Sequence, residues 1–196
     1  VQLMGSTSYI PTSGESAGSE TVAGAAVKGV LKSANVTVYE LDNSGTRIRS
    51  FESVTTDANG EYEVALSDAY EGGLLEVEVT AVPGQTKMVC DASACGTLGA
   101  DVDLPAGFTL SALAAKSADG AKISAPVTAW STVAAKRAKV LAESGRSISD
   151  SSRQAVAEVN QVAGFDISRT AAKAVTSLAG TSAEEQQAAV MNAAVA

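Results

Sequence analysis

The chain carries two hydrophobic patterns in succession. From about residue 26 to about residue 115, apolar residues recur at every second position, in short runs separated by turn residues. Residues 42–45 and 57–60 are two such turns, because Asp or Asn shortly before Gly favours a tight reversal of the chain. Short alternating strands at regular spacing predict an antiparallel, Ig-like β-sandwich.

After Pro126 the apolar period changes to 3.6 residues, which indicates helices. The first predicted helix ends at Gly145, and its expected buried face is Trp130, Val133, Ala134, Ala138 and Leu141. The second is expected to be capped by Ser149 or Ser151 and to end at Gly164, with a buried face of Ala155, Val156, Val159 and Val162.

Two further helices are predicted towards the end of the sequence. A weaker pattern covers residues 170–179 and ends at Gly180. The last helix opens with Ser182 and Glu185, whose three-residue spacing is that of a capping box, and runs to Ala196.

The patterns together predict an α+β fold in three parts. Residues 1–24 form an extended, Gly/Ser-rich N-terminal lead, residues 25–117 the β-sandwich, and residues 118–196 an Ala-rich helical segment. Within the sandwich, Glu residues alternate with apolar ones, which is typical of a strand face in contact with water. These acidic positions are Glu61, Glu63, Glu71, Glu76 and Glu78.

Composition narrows the classes of function. Of the 196 residues, 45% are hydrophobic but only 4% aromatic, so we expect a core of Val, Ala, Leu and Ile. The net charge of −8 disfavours binding to nucleic acid or to anionic membranes, which need clustered Lys and Arg. The longest uncharged apolar stretch, residues 123–135, is too short and too polar to span a bilayer, so no transmembrane segment is predicted.

Two cysteines, Cys90 and Cys95, have four residues between them and suggest a short-loop disulfide. A metal site would need further ligands, and the sequence has no His and no third Cys. A redox pair commonly has two intervening residues. The disulfide interpretation implies an oxidising compartment, such as the periplasm, the cell surface or the medium.

Two pairs of motifs resemble a known family. Residues 29–38 (GVLKSANVTV) and 55–62 (TTDANGEY) are similar to the transthyretin-like, or carboxypeptidase regulatory-like, β-sandwich. Residues 126–132 (PVTAWST) and 159–167 (VNQVAGFDI) resemble the helical segment that follows this sandwich in some bacterial surface lipoproteins. The resemblance implies a non-catalytic accessory or surface role and carries over no catalytic residue.

Candidate sites are few. With His at 0, no Ser-His-Asp or Cys-His arrangement exists, so we expect no catalytic residues and no cofactor. Asp57, Asn59 and Glu61 match the start of a calcium loop, but the same residues make a good hairpin turn. Trp130 is expected to pack between the helices and the sandwich, although a single Trp is also a possible binding anchor.

The lead segment carries the functional hypothesis. Gly/Ser-rich chain interrupted by apolar residues has the composition of a strand donated to a neighbouring subunit, and Val1, Leu3, Tyr9 and Ile10 are the expected anchors. The alternative for this segment is an intramolecular one, in which it lies along the edge of its own sandwich. We therefore expect a self-associating structural subunit of filament or matrix type, outside the cell or on a bacterial cell surface. The alternative is a monomeric adhesin or ligand-binding module that contacts a cell surface through loops at one end of the sandwich.

The cysteine pair gives the first testable prediction. Alkylation of the native protein without reductant is expected to add no label, because Cys90 and Cys95 are bonded to each other. Intact-mass measurement checks this, and two labelled thiols would contradict both the bond and the secreted location.

Overall fold

The computed structural model describes residues 20–116, 118 and 122–195. Within them the fold is α+β, with twelve strands and three α-helices. The strands are β1 (Thr21–Val27), β2 (Leu31–Lys32), β3 (Asn35–Leu41), β4 (Arg47–Ser50), β5 (Val54–Thr55), β6 (Glu61–Ala65), β7 (Leu75–Thr80), β8 (Lys87–Val89), β9 (Asp101–Asp103), β10 (Thr109–Ala114), β11 (Lys122–Ser124) and β12 (Val127–Thr128). The helices are α1 (Ala129–Ala142), α2 (Ile148–Ala163) and α3 (Ala183–Ala194).

The strands form three sheets. In the first, β1 pairs antiparallel with β6 along one edge and parallel with β11 and then β12 along the other. The second has the order β10-β7-β3-β4, with β5 also paired to β3, and is antiparallel throughout. The third is the small antiparallel sheet β2-β8-β9.

The two larger sheets contribute to one apolar core. Alternate side chains of β1 and β6, such as Val22 and Val64, are fully buried together with Val38 of β3 and Val77 of β7. Antiparallel sheets that share a core, followed by helices, are compatible with the predicted sandwich. The parallel pairing of β1 with β11 and β12 was not predicted, and it carries the sheets past residue 117, where the predicted sandwich ends.

The junction between β11 and β12 lies unusually close to β1. The carbonyl oxygen of Ala125 accepts a hydrogen bond from the Tyr62 hydroxyl at 2.5 Å, and burial raises the pKa of that hydroxyl. A Cβ atom on Gly24 would lie 2.1 Å from the same carbonyl oxygen. Only glycine therefore allows this approach of the two strands.

Helix α1 begins where β12 ends, at Thr128. The Thr128 side chain accepts a hydrogen bond from the Ser131 N–H, and the Ser131 hydroxyl accepts one from the Thr128 N–H, which completes a capping box. The Ser131 hydroxyl also donates to the carbonyl oxygen of Ser111 in β10, and the Thr132 hydroxyl accepts from the Ser111 N–H. The first turn of α1 is thus hydrogen-bonded to the edge of the second sheet.

The helical predictions are partly confirmed. Gly164 ends α2 in the left-handed conformation, and Ser182 with Glu185 forms the predicted capping box of α3. The predicted cap of α2 is wrong: Ser147 is the cap, because its hydroxyl accepts from the Asp150 N–H and donates to the Asp150 carboxylate, whereas Ser151 is buried inside the helix.

The predicted helix over residues 170–179 is also wrong. This segment is non-helical, and its buried residues Ala172 and Ala174 are two positions apart, packed against Val27 of β1. Two members of the predicted apolar faces, Val133 and Val162, are exposed, since the alanines beside them already make close helix contacts.

One glutamate that was predicted to face water, Glu76, is buried instead. Glu76 of β7 is only 3% exposed, because α1 covers the face of the second sheet on which it lies. Its carboxylate accepts from Arg47 Nε at 2.8 Å and from Lys139 Nζ of α1 at 2.6 Å. Burial raises the pKa of Glu76, but the hydrogen bonds from Arg47 and Lys139 outweigh it and leave the pKa below its usual value.

The neighbouring Glu78, by contrast, remains 27% exposed in its side chain and shares Arg47. The hydrogen bond to Glu76 raises the pKa of Arg47, so this side chain stays charged throughout. Glu76 therefore joins the sheet to α1 by an ion pair sheltered from water, while Glu78 is a surface partner.

Gly24 provides a stability prediction. Gly24→Ala is expected to lower the free energy of unfolding by about 3 kcal/mol, because the new methyl group overlaps the Ala125 carbonyl. Urea unfolding monitored by circular dichroism measures this. Gly72→Ala is the control: its Cβ would enter open space, although a φ of 89° leaves a conformational cost of about 1 kcal/mol. Equal losses in both variants would contradict the overlap.

Glu76 provides a pH-dependence prediction. Its folded-state pKa lies below the unfolded value of about 4.3, so its ionised form stabilises the fold above that pH, and this contribution is lost as the pH falls through the folded pKa. Glu76→Gln should cost about 2 kcal/mol at pH 7 and progressively less below about pH 4.

Unfolding curves at pH 7 and at pH 3 test this difference. Glu78→Gln, which removes the more exposed partner of the same arginine, serves as the matched control and should cost less than about 1 kcal/mol. A Glu76→Gln effect that does not change with pH would contradict the ion-pair assignment.

Candidate functional site

The two cysteines lie in a loop at the end of the β8–β9 hairpin. Their sulfur atoms are 2.19 Å apart and their Cα atoms 5.6 Å apart, which is disulfide distance. Main-chain hydrogen bonds from Cys90 N–H to Ala100 and from Gly99 N–H to Cys90 close the base of the loop. The loop is therefore fixed at both ends, and within it Leu98 is 63% exposed.

A buried carboxylate next to this loop was not anticipated. Asp91 is 5% exposed, and its Oδ2 accepts a hydrogen bond from the Gly29 N–H at 2.6 Å. Its Oδ1 lies 3.7 Å from Lys28 Nζ. Asp91 thus holds the turn after β1 against the disulfide loop, and the 62-residue separation from Gly29 leaves no local sequence signal for it.

Glu40 of β3 connects β4 and the loop before β7 within the second sheet. Its Oε1 accepts hydrogen bonds from the N–H groups of Glu71 and Gly73, and its Oε2 is paired with Arg49. The carboxylate is 1% exposed. Like Glu76, it connects segments of the fold and does not face either groove described below.

The Asp57–Asn59–Glu61 candidate adopts the turn alternative. One carboxylate oxygen of Asp57 accepts the N–H groups of Asn59 at 2.8 Å and Glu61 at 2.9 Å. Across the described ranges, no group of three or more His, Cys, Asp or Glu side chains is placed to hold a metal ion. Asp57 Oδ1 thus closes the hairpin turn.

Trp130 packs among the helices and not against the sandwich core. Its ring contacts a cluster that includes Val159 of α2, Phe165 and Ala188 of α3, and its Nε1–H donates to the Met191 carbonyl oxygen at 3.2 Å. Trp130 therefore anchors the last helix to the first two. The expected contact between helices and sandwich is made instead by Leu41 and Leu74 with Ala138 and Ile148.

The expected self-association residues Val1, Leu3, Tyr9 and Ile10 lie outside the described residues. The described chain starts at Glu20, whose carbonyl oxygen accepts from the Leu66 N–H at 2.7 Å. Its carboxylate lies 3.0 Å from Lys116 Nζ, just beyond the end of β10. The N-terminal lead is thus attached to the fold beside the last residues of β10.

A groove of about 640 Å³, the lateral groove, has Ala115, the residue before Lys116, in its lining. Its walls are residues 112–115 at the end of β10, residues 124–126 at the junction of β11 and β12, one face each of α1 and α2, and residues 167–169, with Leu74 also in the lining. Leu113, Val156 and Ile167 make its lining largely apolar, and Arg153 and Arg169 are at its rim. The groove therefore separates the edges of the two large sheets.

One wall of the lateral groove is a strand edge. Phe108, the residue before β10, accepts a hydrogen bond from Ala81 N–H. Hydrogen-bonded positions alternate along an antiparallel pair, so the even-numbered residues of β10 are the ones that bond to β7. Leu113 accordingly directs its main-chain N–H and C=O away from β7, and no other residue in the described part of the chain bonds to them. At Ser111 the same edge is closed by Ser131 and Thr132.

A second groove of about 720 Å³, the sheet-face groove, lies over the outer face of the first sheet. Its floor is Ala23, Gly24 and Ala25 of β1, and its sides include acidic residues of the 57–63 hairpin and residues 171–173. Both edges of β1 are already paired, so this groove offers a shallow surface and no strand edge.

Comparison with known proteins does not assign a family. No protein-family model matches the chain, and no curated protein matches it either. Among the described residues, none of the helices has the length and apolar character needed to cross a membrane.

Proposed function

We propose that the protein is a non-catalytic structural subunit that self-associates outside the cell, in filaments or a matrix, by donating its N-terminal lead. The observation that supports this most directly is the position of the lateral groove. An apolar channel with an open strand edge lies beside Glu20, where the lead joins the fold. Strand addition needs both features, because main-chain bonds give affinity and side-chain pockets give register.

The extracellular location is supported by the cysteines. A pair at disulfide distance persists in oxidising compartments and is rare in the cytosol. The fold is in keeping with the transthyretin-like sandwich that the motifs resemble, since the TTDANGEY stretch forms the turn into β6. We include membership of this sandwich family in the proposal, and it agrees with a surface role without catalysis.

The composition of the lead also supports association. Ordering each residue costs about 1–2 kcal/mol of backbone entropy, and Gly and Ser side chains recover little of it. A hydrogen-bond ladder together with apolar pockets for Val1, Leu3, Tyr9 and Ile10 offsets that cost.

A second candidate function, a cell-surface adhesin, is supported by the disulfide loop. The loop is fixed at its base and presents Leu98 to solvent, which suits a rigid binding tip. An adhesin requires no contact between copies of the chain, so the oligomeric state distinguishes the two functions.

The self-association proposal is tested by changing the lead in the full-length chain. Leu3→Asp combined with Ile10→Asp is expected to abolish assembly, because a carboxylate cannot enter an apolar pocket without a large desolvation cost. Negative-stain microscopy and analytical ultracentrifugation at increasing protein concentration measure assembly.

The control adds the same charge at polar positions of the same segment. Ser6→Asp combined with Ser13→Asp should assemble like the unmodified protein. If the unmodified protein stays monomeric, the structural-subunit function is rejected and the adhesin candidate replaces it; if both variants assemble equally, the apolar anchors have no role.

A further inference from the structure

We propose that the lateral groove is the receiving site for residues 1–10 of a second copy of the chain. This inference rests on the proposed function and deepens it, because self-association by the lead does not by itself say which surface receives it. The apolar lining of the groove and the open strand edge at Leu113 are two separate observations that agree on this location.

The shape and chemistry of the groove fit a short extended peptide. Leu113 offers one outward N–H and one outward C=O, and the hydroxyls of Ser131 and Thr132 end that edge at Ser111. An inserted strand therefore pairs with this edge over a short stretch around Leu113. Apolar side chains alternate with Gln2 in Val1–Leu3, and Tyr9 and Ile10 are adjacent, so short stretches of the lead supply what the lining requires.

The position of Glu20 limits how far the N-terminal lead can extend from the fold. Glu20 is held beside Lys116, directly after the groove residue Ala115. Ten residues separate Ile10 from Glu20, which gives a span of at most about 33–36 Å. This length is rich in Gly and Ser and carries the apolar residues far enough to reach a neighbouring molecule.

The direction of β10 favours a second copy over the same chain. A lead that entered its own groove by the direct path would run towards Glu20, and therefore parallel to β10, which runs towards Lys116. A lead from another copy is free to enter antiparallel, and antiparallel pairing is the more stable per residue.

The sheet-face groove fits this peptide less well. Its floor strand β1 is paired along both edges, so no main-chain ladder is available there. Its lining carries charges of both signs, from Asp57, Glu61 and Glu63 and from Lys122 and Lys173, which suit the apolar anchors of the lead poorly. The lateral groove is the better match in both hydrogen bonding and polarity.

Cross-linking between full-length chains tests the assignment. One preparation carries Ser8→Cys, beside Tyr9, and the other carries Ala157→Cys, an exposed groove position on α2. Both native cysteines are paired, so each variant adds one thiol. Mild oxidation of the mixture should give a disulfide-linked heterodimer, scored on non-reducing gels and by intact mass.

Two matched controls replace the groove position with other exposed alanines. Ala183→Cys lies at the start of α3 and lines neither groove, and Ala171→Cys lines the sheet-face groove. We expect at least about tenfold more heterodimer with Ala157→Cys than with either control, which corresponds to about 1.4 kcal/mol of preference. Unchanged circular dichroism spectra show that the fold is retained.

The other outcomes are distinct. One outcome is that assembly requires Leu3 and Ile10 but Ala157→Cys cross-links no better than Ala183→Cys. The proposed function then stands and the groove assignment is rejected. Preferential cross-linking of Ala171→Cys would instead place the receiving site in the sheet-face groove. A chain carrying both Ser8→Cys and Ala157→Cys that forms mainly an internal disulfide at assembly concentration shows occupation by its own lead. Absence of any assembly rejects both proposals together.

Discussion

The pairing of β1 on both of its edges is the constraint on which the rest of the fold depends. β6 binds one edge, and β11 and β12 bind the other, so residues far apart in the sequence close a single sheet around Val22 and Ala26. Because β12 ends at Thr128, which is also the cap of α1, this pairing decides where the helices start. It also decides where the lead leaves the fold.

Local features were largely accessible from the sequence. The Asp57–Gly60 turn, the left-handed Gly164 and the Ser182–Glu185 capping box depend on residues within a few positions of one another. Alternation likewise identified most of β3, β6 and β7, because a strand with one buried face shows it directly in its residue types.

Features that depend on distant partners were not accessible. The sequence around Glu76 predicts a solvent-facing strand residue, because α1, which covers Glu76 and pairs it with Lys139, lies some sixty residues later in the chain. The Ala-rich pattern after Thr170 is compatible with a helix, and only the contact with Val27 shows why it stays extended. The lateral groove was missed for the same reason, since its walls come from six separate parts of the chain.

The geometry of β1 has a mechanical consequence. A force applied to the lead enters the fold at Glu20 and acts along the axis of β1, which is bonded lengthwise to β6, β11 and β12. Under such a load the hydrogen bonds on both edges are sheared simultaneously, whereas a strand pulled from its end at right angles would lose them one after another. Tension that enters through the lead is therefore carried by the hydrogen bonds along both edges of the central strand.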